Sequence, residues 1–146
     1  MVIRKATKND LNGIINLYHQ LLNNDDINVN VAKTIFQKMI DDDNYYVLVV
    51  EENKSIVSTC TLIIVYNITH RNKPFCIIEN VVTDERCRGN GYGKEVIKAA
   101  INLARIKECH KIMIQTRKKE RYVINFYKKC GFSMKLSKGF MIDLEV

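Results

Sequence analysis

IENVVTDERCRGNGYGKEVIKAA, residues Ile78 to Ala100, is the stretch from which the rest of the chain can be read. It opens as a buried strand, passes through a short basic turn and continues as a helix. Three of the six glycines, Gly89, Gly91 and Gly93, fall within five residues, with Arg88 directly before them and Arg86 two residues earlier. A helix that starts in such a turn leaves its first backbone N–H groups without intrahelical partners and presents the positive end of its dipole. Glycines let a backbone approach a ligand with no Cβ in the way. The product is an anion cradle, most naturally one for phosphate.

Working outward, Val96, Ile97, Ala100, Ile101 and Ala104 extend the helix as an apolar stripe. Lys111–Gln115 then reads as a strand, so strand, glycine turn, helix and strand make one βαβ unit whose two strands should be parallel. Before the turn come three strands of an antiparallel meander, Tyr45–Glu51, Ile56–Val65 and Phe75–Val82, the first pair joined at Glu52-Asn53-Lys54-Ser55. A polar loop, Asn67 to Pro74, separates the last two. Val2–Lys5 reads as a first strand, and Thr7 with Asp10 as a capping pair. Leu11, Ile14, Ile15, Tyr18, Leu21 and Leu22 have helical spacing. A second helix is expected over about Asn30 to Ile40, with Val31, Ile35, Phe36, Met39 and Ile40 on one face. After a basic loop, Arg117-Lys118-Lys119-Glu120, a short helix carries Val123, Phe126, Tyr127 and Cys130. Gly131 follows as its left-handed C′ residue. Phe132–Leu136 and Gly139–Leu144 read as a closing hairpin.

With 146 residues, no repeat and no linker, one domain over residues 1–146 is expected. No apolar run reaches the roughly 20 residues of a membrane helix. No secretory signal is expected at the N-terminus. The five cysteines are scattered, with no CxxC pair and no histidine at ligand spacing, so no metal site is expected and reduced thiols of a cytoplasmic protein are the simplest reading. The acidic run Asp41-Asp42-Asp43-Asn44 lacks the spacing of a calcium loop and reads as a solvated turn. Net charge is +7, but the basic residues gather around 86–94 and 117–129 with no nucleic-acid-binding motif. We therefore expect a small molecule or a peptide, and neither nucleic acid nor membrane, as partner.

Three phosphate fingerprints can be weighed. The P-loop fails because Gly93-Lys94 is followed by Glu95 and position 88 is Arg. The dinucleotide GxGxxG fails because the chain has GxGxG after an antiparallel meander. Arg88-Gly89-Asn90-Gly91-Tyr92-Gly93 resembles the Arg/Gln-x-x-Gly-x-Gly/Ala signature of the GNAT superfamily of acetyl-coenzyme A-dependent N-acetyltransferases. Ile78-Glu79-Asn80-Val81-Val82-Thr83 is similar to the strand that precedes it in that family, and Asn125-Phe126-Tyr127-Lys128-Lys129-Cys130-Gly131-Phe132 to its Phe-Tyr-x-x-x-Gly-Phe block. Ile3-Arg4-Lys5-Ala6-Thr7 with Asp10 is similar to its N-terminal opening.

The resemblance implies an α+β fold: a mixed, mostly antiparallel, splayed sheet of about six to seven strands, flanked by about four helices. It implies acetyl-coenzyme A as cofactor, its pyrophosphate held by backbone N–H groups of Arg88, Gly89, Asn90, Gly91, Tyr92, Gly93 and Lys94. Val81, Val82 and Thr83 would offer backbone groups to the pantetheine and the thioester. Asn125 matches a position that often holds the pantetheine arm, though it could equally cap a helix start. Lys118, Lys119, Arg121, Lys128 and Lys129 are candidates for the 3′-phosphate.

Acetyl transfer requires a neutral amine, and a lysine-like amine is mostly protonated at pH 7, so a base helps. Glu79 is the candidate base, with attraction of a cationic amine or plain solvation as alternatives. Tyr127, the tyrosine of the Phe-Tyr block, is the candidate acid toward the departing thiolate, with a core tyrosine as the alternative. Cys87 and Cys130 could suggest an acyl-enzyme route, but no histidine is placed to activate them and the family usually transfers directly. The chain departs from the family at Glu108, where many relatives have glycine, and in the charged 115–122 loop. The amine acceptor carries no signature. Residues 78–82 and 125–132 are similar to those of glucosamine 6-phosphate N-acetyltransferases, which makes a sugar phosphate one acceptor to weigh. A non-catalytic acyl-coenzyme A sensor and a homodimer through the hairpin or exposed strands are left open.

Overall fold

The computed structural model describes residues 1–22, 26–137 and 139–144. They fall into two compact units, Met1–Gln115 and Thr116–Val146. The larger unit holds five strands, β1 (Val2–Lys5), β2 (Tyr45–Glu52), β3 (Ser55–Val65), β4 (Phe75–Thr83) and β5 (Ile112–Ile114), placed side by side in chain order. The first four pair antiparallel, and β4 pairs parallel with β5, as the βαβ reading requires. Its helices are α1 (Leu11–Leu21), α2 (Val29–Asp41), a single turn α3 (Thr69–Asn72) and α4 (Tyr92–Ile106). The smaller unit holds α5 (Arg121–Lys129).

The sheet is covered on both faces, which is why β2 reads as a continuous apolar run and β3 stays buried from Val57 to Leu62 even at Ser58, Thr59 and Thr61. Val47 and Val49 pack with Leu11, Ile14 and Ile15 of α1 and Phe36 of α2. Leu48, one residue out of step, pairs with Cys60, whose thiol lies 3.8 Å from the Val96 carbonyl of α4. Alternation along the strands therefore puts α1 and α2 on one face and α4 on the other. Val96, Ile97, Ala100 and Ala104 of the predicted stripe of α4 are buried, and its fifth residue, Ile101, is half-buried.

The N-terminal corner is tied by charge. The Asp10 carboxylate accepts from the Thr7 N–H at 2.7 Å, the reciprocal bond expected of the capping pair. It also accepts both arms of the Arg4 guanidinium, at 2.7 and 2.8 Å, and Arg4 bonds Glu51 on β2 as well. These bonds link β1, β2 and the turn that starts α1.

In the smaller unit Gly131 adopts the left-handed conformation expected of it, with φ 96°. Its N–H donates to the Lys128 carbonyl at 3.0 Å, and the Phe132 N–H to the Tyr127 carbonyl at 3.1 Å. That pair of bonds is a Schellman motif, and the Tyr127 and Phe132 rings meet edge-on across it.

Four expectations need correction. Five strands are found among the described residues instead of six to seven. The closing hairpin is absent: 132–137 and 139–144 have no strand structure. Alternating apolar residues form a strand only where a partner edge and a surface to bury them exist, and Leu136, Phe140, Ile142 and Leu144 are exposed. On α2 the buried arc is Ala32, Phe36, Met39 and Ile40, which leaves Val31 and Ile35 exposed. Residues 31 and 35 are a step of about 100° off that arc, so helical spacing alone assigned them to the wrong side. The 67–74 loop contains the α3 turn, where His70, Arg71 and Asn72 take left-handed φ values of 52°, 62° and 61°.

The Arg4 hydrogen bonds lower the Asp10 pKa from 3.8 to about 2, even against the opposing effect of burial. A lowered carboxylate contributes stability that is fully present above its unfolded value and lost as pH falls through its folded one. Thermal unfolding between pH 5 and 2 should show a loss worth about 2 kcal/mol from this group. Asp10→Asn should melt lower at pH 7 and show a correspondingly weaker dependence on pH in that window.

Candidate functional site

β4 is the element on which the site is built. Its parallel pairing with β5 covers only Cys76, Ile77 and Ile78, against Ile112, Met113 and Ile114. β4 then runs on through Glu79–Thr83, and along those five residues the edge away from β3 has no strand beside it in this unit. On the β3 side the register shifts: Glu79 faces Thr61 and Val82 faces Thr59, so Asn80 and Val81 together oppose Cys60. Asn80 takes φ 52°, the left-handed conformation of a bulge. The bulge also breaks the alternation expected from sequence, since Ile78 is buried but Asn80 is exposed. Val82 is buried, its carbonyl accepting from the Ser58 hydroxyl at 3.0 Å, and the Thr83 hydroxyl sits 2.8 Å from the Ser58 Oγ.

Glu79 lies directly opposite Thr61, on the face of the sheet that carries α1. Its side chain opens to solvent, yet the protein around the carboxylate is dense enough to push its pKa up by desolvation. Beside it is a residue that sequence reading assigned only to the α1 apolar stripe. The Tyr18 hydroxyl reaches toward Thr61 and Asn80, and burial raises its pKa, only partly offset by those two neighbours. Thr61 is itself buried, with a hydroxyl that makes no well-aligned hydrogen bond. No local sequence pattern separates Tyr18 from the rest of the stripe, because the bulge it reaches is set by strand pairing.

After β4 the chain turns through a short 3-10 segment, Glu85–Cys87. The Asp84 carboxylate caps it by accepting from the Arg86 N–H at 3.0 Å, and also pairs with the Arg86 guanidinium at 2.8 Å. These bonds hold the Asp84 pKa down at about 2. Arg86 is thus engaged by the turn although its side chain is exposed, as Arg88 is too. The Glu85 N–H donates to Gln20 at 2.9 Å, which ties the turn to the end of α1. Gly89 and Gly91 sit at φ 85° and 86°, conformations that L side chains rarely adopt. A Cβ at either would meet no protein atom within 4 Å, so the hollow in front of them is open. Gly93 differs: it lies in the first turn of α4 and has no positive φ. No side chain caps α4, whose first intrahelical bond runs from the Glu95 N–H to the Gly91 carbonyl at 3.1 Å. The amides of Tyr92, Gly93 and Lys94 therefore come before the helical ladder, the arrangement that binds phosphate oxygens.

The structure brings Glu79, Val81, Val82, Thr83 and residues Arg88–Lys94 together on one strand–turn–helix path. Asn125 and Tyr127 belong to the smaller unit, on α5. There Asn125 is exposed, and Tyr127 is half-buried against Phe126, with ring centroids 5.1 Å apart. Of the basic loop, Arg117 pairs with Asp143 at 2.9 Å, while Lys118 and Lys119 are exposed. A separate groove of about 470 Å³, lined by Lys8, Asn9, Asn12, Lys33, Phe36 and Gln37 among others, includes none of the site residues named above.

The solved structure named "Putative acetyltransferase from Agrobacterium tumefaciens str. C58" is 37% identical with a TM-score of 0.93, the alignment covering 98% of this chain and 99% of that one. The crystal structure of glucosamine-6-phosphate N-acetyltransferase from Arabidopsis thaliana is 25% identical with a TM-score of 0.83, covering 97% and 95%. Among curated proteins, the glucosamine 6-phosphate N-acetyltransferase of Trypanosoma brucei brucei is 34% identical over 77 residues, 53% of this chain and 50% of that protein. The chain spans about half the length of the first curated relatives it matches. The sequence model of the acetyltransferase (GNAT) family matches residues 12–132, well over half the chain, and with the strand–turn–helix geometry above this places the protein in the GNAT family of acetyltransferases.

Proposed function

We propose that residues 1–146 act as one N-acetyltransferase domain that moves the acetyl group of acetyl-coenzyme A directly to a primary amine. The observation that carries this reading is the uncapped start of α4 behind two left-handed glycines, directly downstream of a strand edge that, among the described residues of the larger unit, pairs with no strand beyond Ile78. The open hollow at Gly89 and Gly91 fits a pyrophosphate, and the free edge of Glu79–Thr83 fits an extended pantetheine arm. Acetyl-coenzyme A, when bound, supplies the activated thioester. The backbone N–H groups of Arg88–Lys94 would bind its phosphates, with Asn125 on the pantetheine and the exposed Lys118, Lys119, Lys128, Lys129 and Arg121 as candidates for the 3′-phosphate. Backbone groups of Val81, Val82 and Thr83 would orient the thioester, holding the reactants in line.

Glu79 would take the amine proton, directly or through a water, at its carboxylate. Tyr127 would present its hydroxyl to the departing sulfur. The resemblance of its Phe-Tyr block supports that role. For the acceptor we propose an amino-sugar phosphate. The support is the naming of several matched relatives as glucosamine 6-phosphate N-acetyltransferases, and the exposed basic residues, which suit an anionic acceptor. Reduced thiols at all five cysteines suit the cytoplasm.

Release of coenzyme A thiol is the test, run with glucosamine 6-phosphate, other amino sugars, amino acids, polyamines and peptides. Turnover on the sugar phosphate well above the rest is expected. Activity confined to a cationic amine would replace the acceptor but keep the transferase. Binding of acetyl-coenzyme A without turnover on any amine would favour the sensor reading, and absence of binding would overturn the whole assignment.

The base form of Glu79 is the carboxylate, so activity should climb as pH rises through its elevated pKa. Glu79→Gln should remove that limb and lower kcat about 100-fold, the lower range for a general base. An unchanged pH profile would rule Glu79 out. Gly91→Ala places a Cβ in the cradle at φ 86°. It is expected to weaken coenzyme A binding at least about tenfold by calorimetry, since left-handed strain alone costs about 1–2 kcal/mol.

A further inference from the structure

Cys76 and Cys109 have no part in the mechanism above, yet their sulfur atoms lie 2.9 Å apart. Cys76 is fully buried near the start of β4, and Cys109 is half-exposed in the turn between α4 and β5. Backbone bonds pin both. The Cys76 N–H donates to the Lys111 carbonyl at 2.9 Å, the Cys109 N–H to the Ala104 carbonyl at 3.0 Å, and the His110 N–H to the Pro74 carbonyl at 2.9 Å. Glu108 takes the left-handed φ of 55° immediately before Cys109, which a glycine would adopt more easily. The turn therefore carries backbone strain at the residue preceding the thiol.

We propose that Cys76 and Cys109 are a disulfide-forming site, closed by a two-electron oxidant such as hydrogen peroxide, that staples the start of β4 to the turn after α4. The sulfurs need approach by only roughly 0.9 Å to reach bonding distance. Nothing nearby offers a competing use. Among the described residues no group of three potential ligands could hold a metal, and the adjacent His70 and His110 rings stack on each other at 3.9 Å. Cys76 is also five residues from Val81, roughly 17 Å along a strand, too far to act on the thioester.

The chemistry runs through the exposed partner. The Cys109 sulfur attacks the O–O bond of peroxide, becoming a sulfenic acid as one water leaves. The Cys76 sulfur then displaces the hydroxyl from Cys109, which departs as a second water carrying the Cys76 proton. Two thiols have lost two electrons and two protons, and peroxide has become two waters. Burial raises the Cys76 pKa, which keeps it a thiol and leaves Cys109 to meet the oxidant first. The closed loop spans 33 residues of separation and contains the bulged strand, the glycine turn and α4. The bond would fasten the start of β4 to the turn that precedes β5, with the unpaired stretch from Glu79 to Thr83 inside the closed loop.

The test uses the whole chain, treated with a slight excess of hydrogen peroxide, alkylated and examined by intact-mass and peptide-mapping mass spectrometry. The expected result is loss of two hydrogens, one linked peptide joining Cys76 to Cys109, and full reversal by dithiothreitol. A loop of this size should raise the melting temperature by roughly 5–15 °C on oxidation. Cys109→Ser, at the half-exposed position, and Cys76→Ser should each abolish both the link and the rise. A link between other cysteines, a disulfide between two chains, stable oxygen addition at Cys109 with Cys76 still alkylable, or no change would each overturn the proposal. None of these readouts depends on turnover or on coenzyme A binding.

Discussion

Among the described residues of the larger unit, β4 is paired along one side, and on the other only as far as Ile78. β3 pairs with the strand nearly end to end, but β5 stops at Ile114, opposite Ile78. A strand edge inside a folded protein is a row of backbone donors and acceptors that calls for a partner. Here that row runs from Glu79 to Thr83 and leads straight into the turn before α4. The bulge at Asn80 is set within the same five residues, with two residues against one on β3. The candidate site depends on this local failure of pairing, because an edge closed by β5 would have no backbone groups to offer.

The turn that follows is rigid for electrostatic and geometric reasons that reinforce each other. Asp84 accepts from the Arg86 amide and pairs with its guanidinium, and Gln20 of α1 holds the Glu85 amide. The turn is therefore anchored before the glycines begin. Gly89 and Gly91 then carry positive φ into an open hollow, and α4 begins without a side-chain cap. A capping serine or aspartate at position 91 would have satisfied the amides internally and added a Cβ at a strained φ. The absence of a cap leaves the positive end of a 15-residue helix directed at whatever occupies the hollow.

Contacts between elements far apart in sequence give the region its second character. Tyr18, about two turns into α1, reaches the bulge, and Cys109, after α4, reaches the start of β4. Neither residue looks unusual locally. Both matter because the sheet brings α1 and the α4–β5 turn to opposite ends of the same strand.

The sequence by itself determined the order of elements, the parallel pairing of β4 with β5, the glycine turn, the capping pair at Thr7 and Asp10, and the Schellman end at Gly131. These features are governed by local physics: period-2 and period-3.6 patterning, positive φ at glycine, and side chains that bond backbone within a few residues. It misplaced the last hairpin, because alternating apolar residues at 132–144 say nothing about whether a partner edge exists. It put Val31 and Ile35 with the buried face of α2, because the width of a buried arc is set by the sheet beneath it. Only the tertiary structure decided where β5 stops, that Asn80 opens a bulge, that Tyr18 meets it and that Cys76 meets Cys109. Each is a contact between residues distant along the chain, and such contacts follow from packing, which no local pattern encodes.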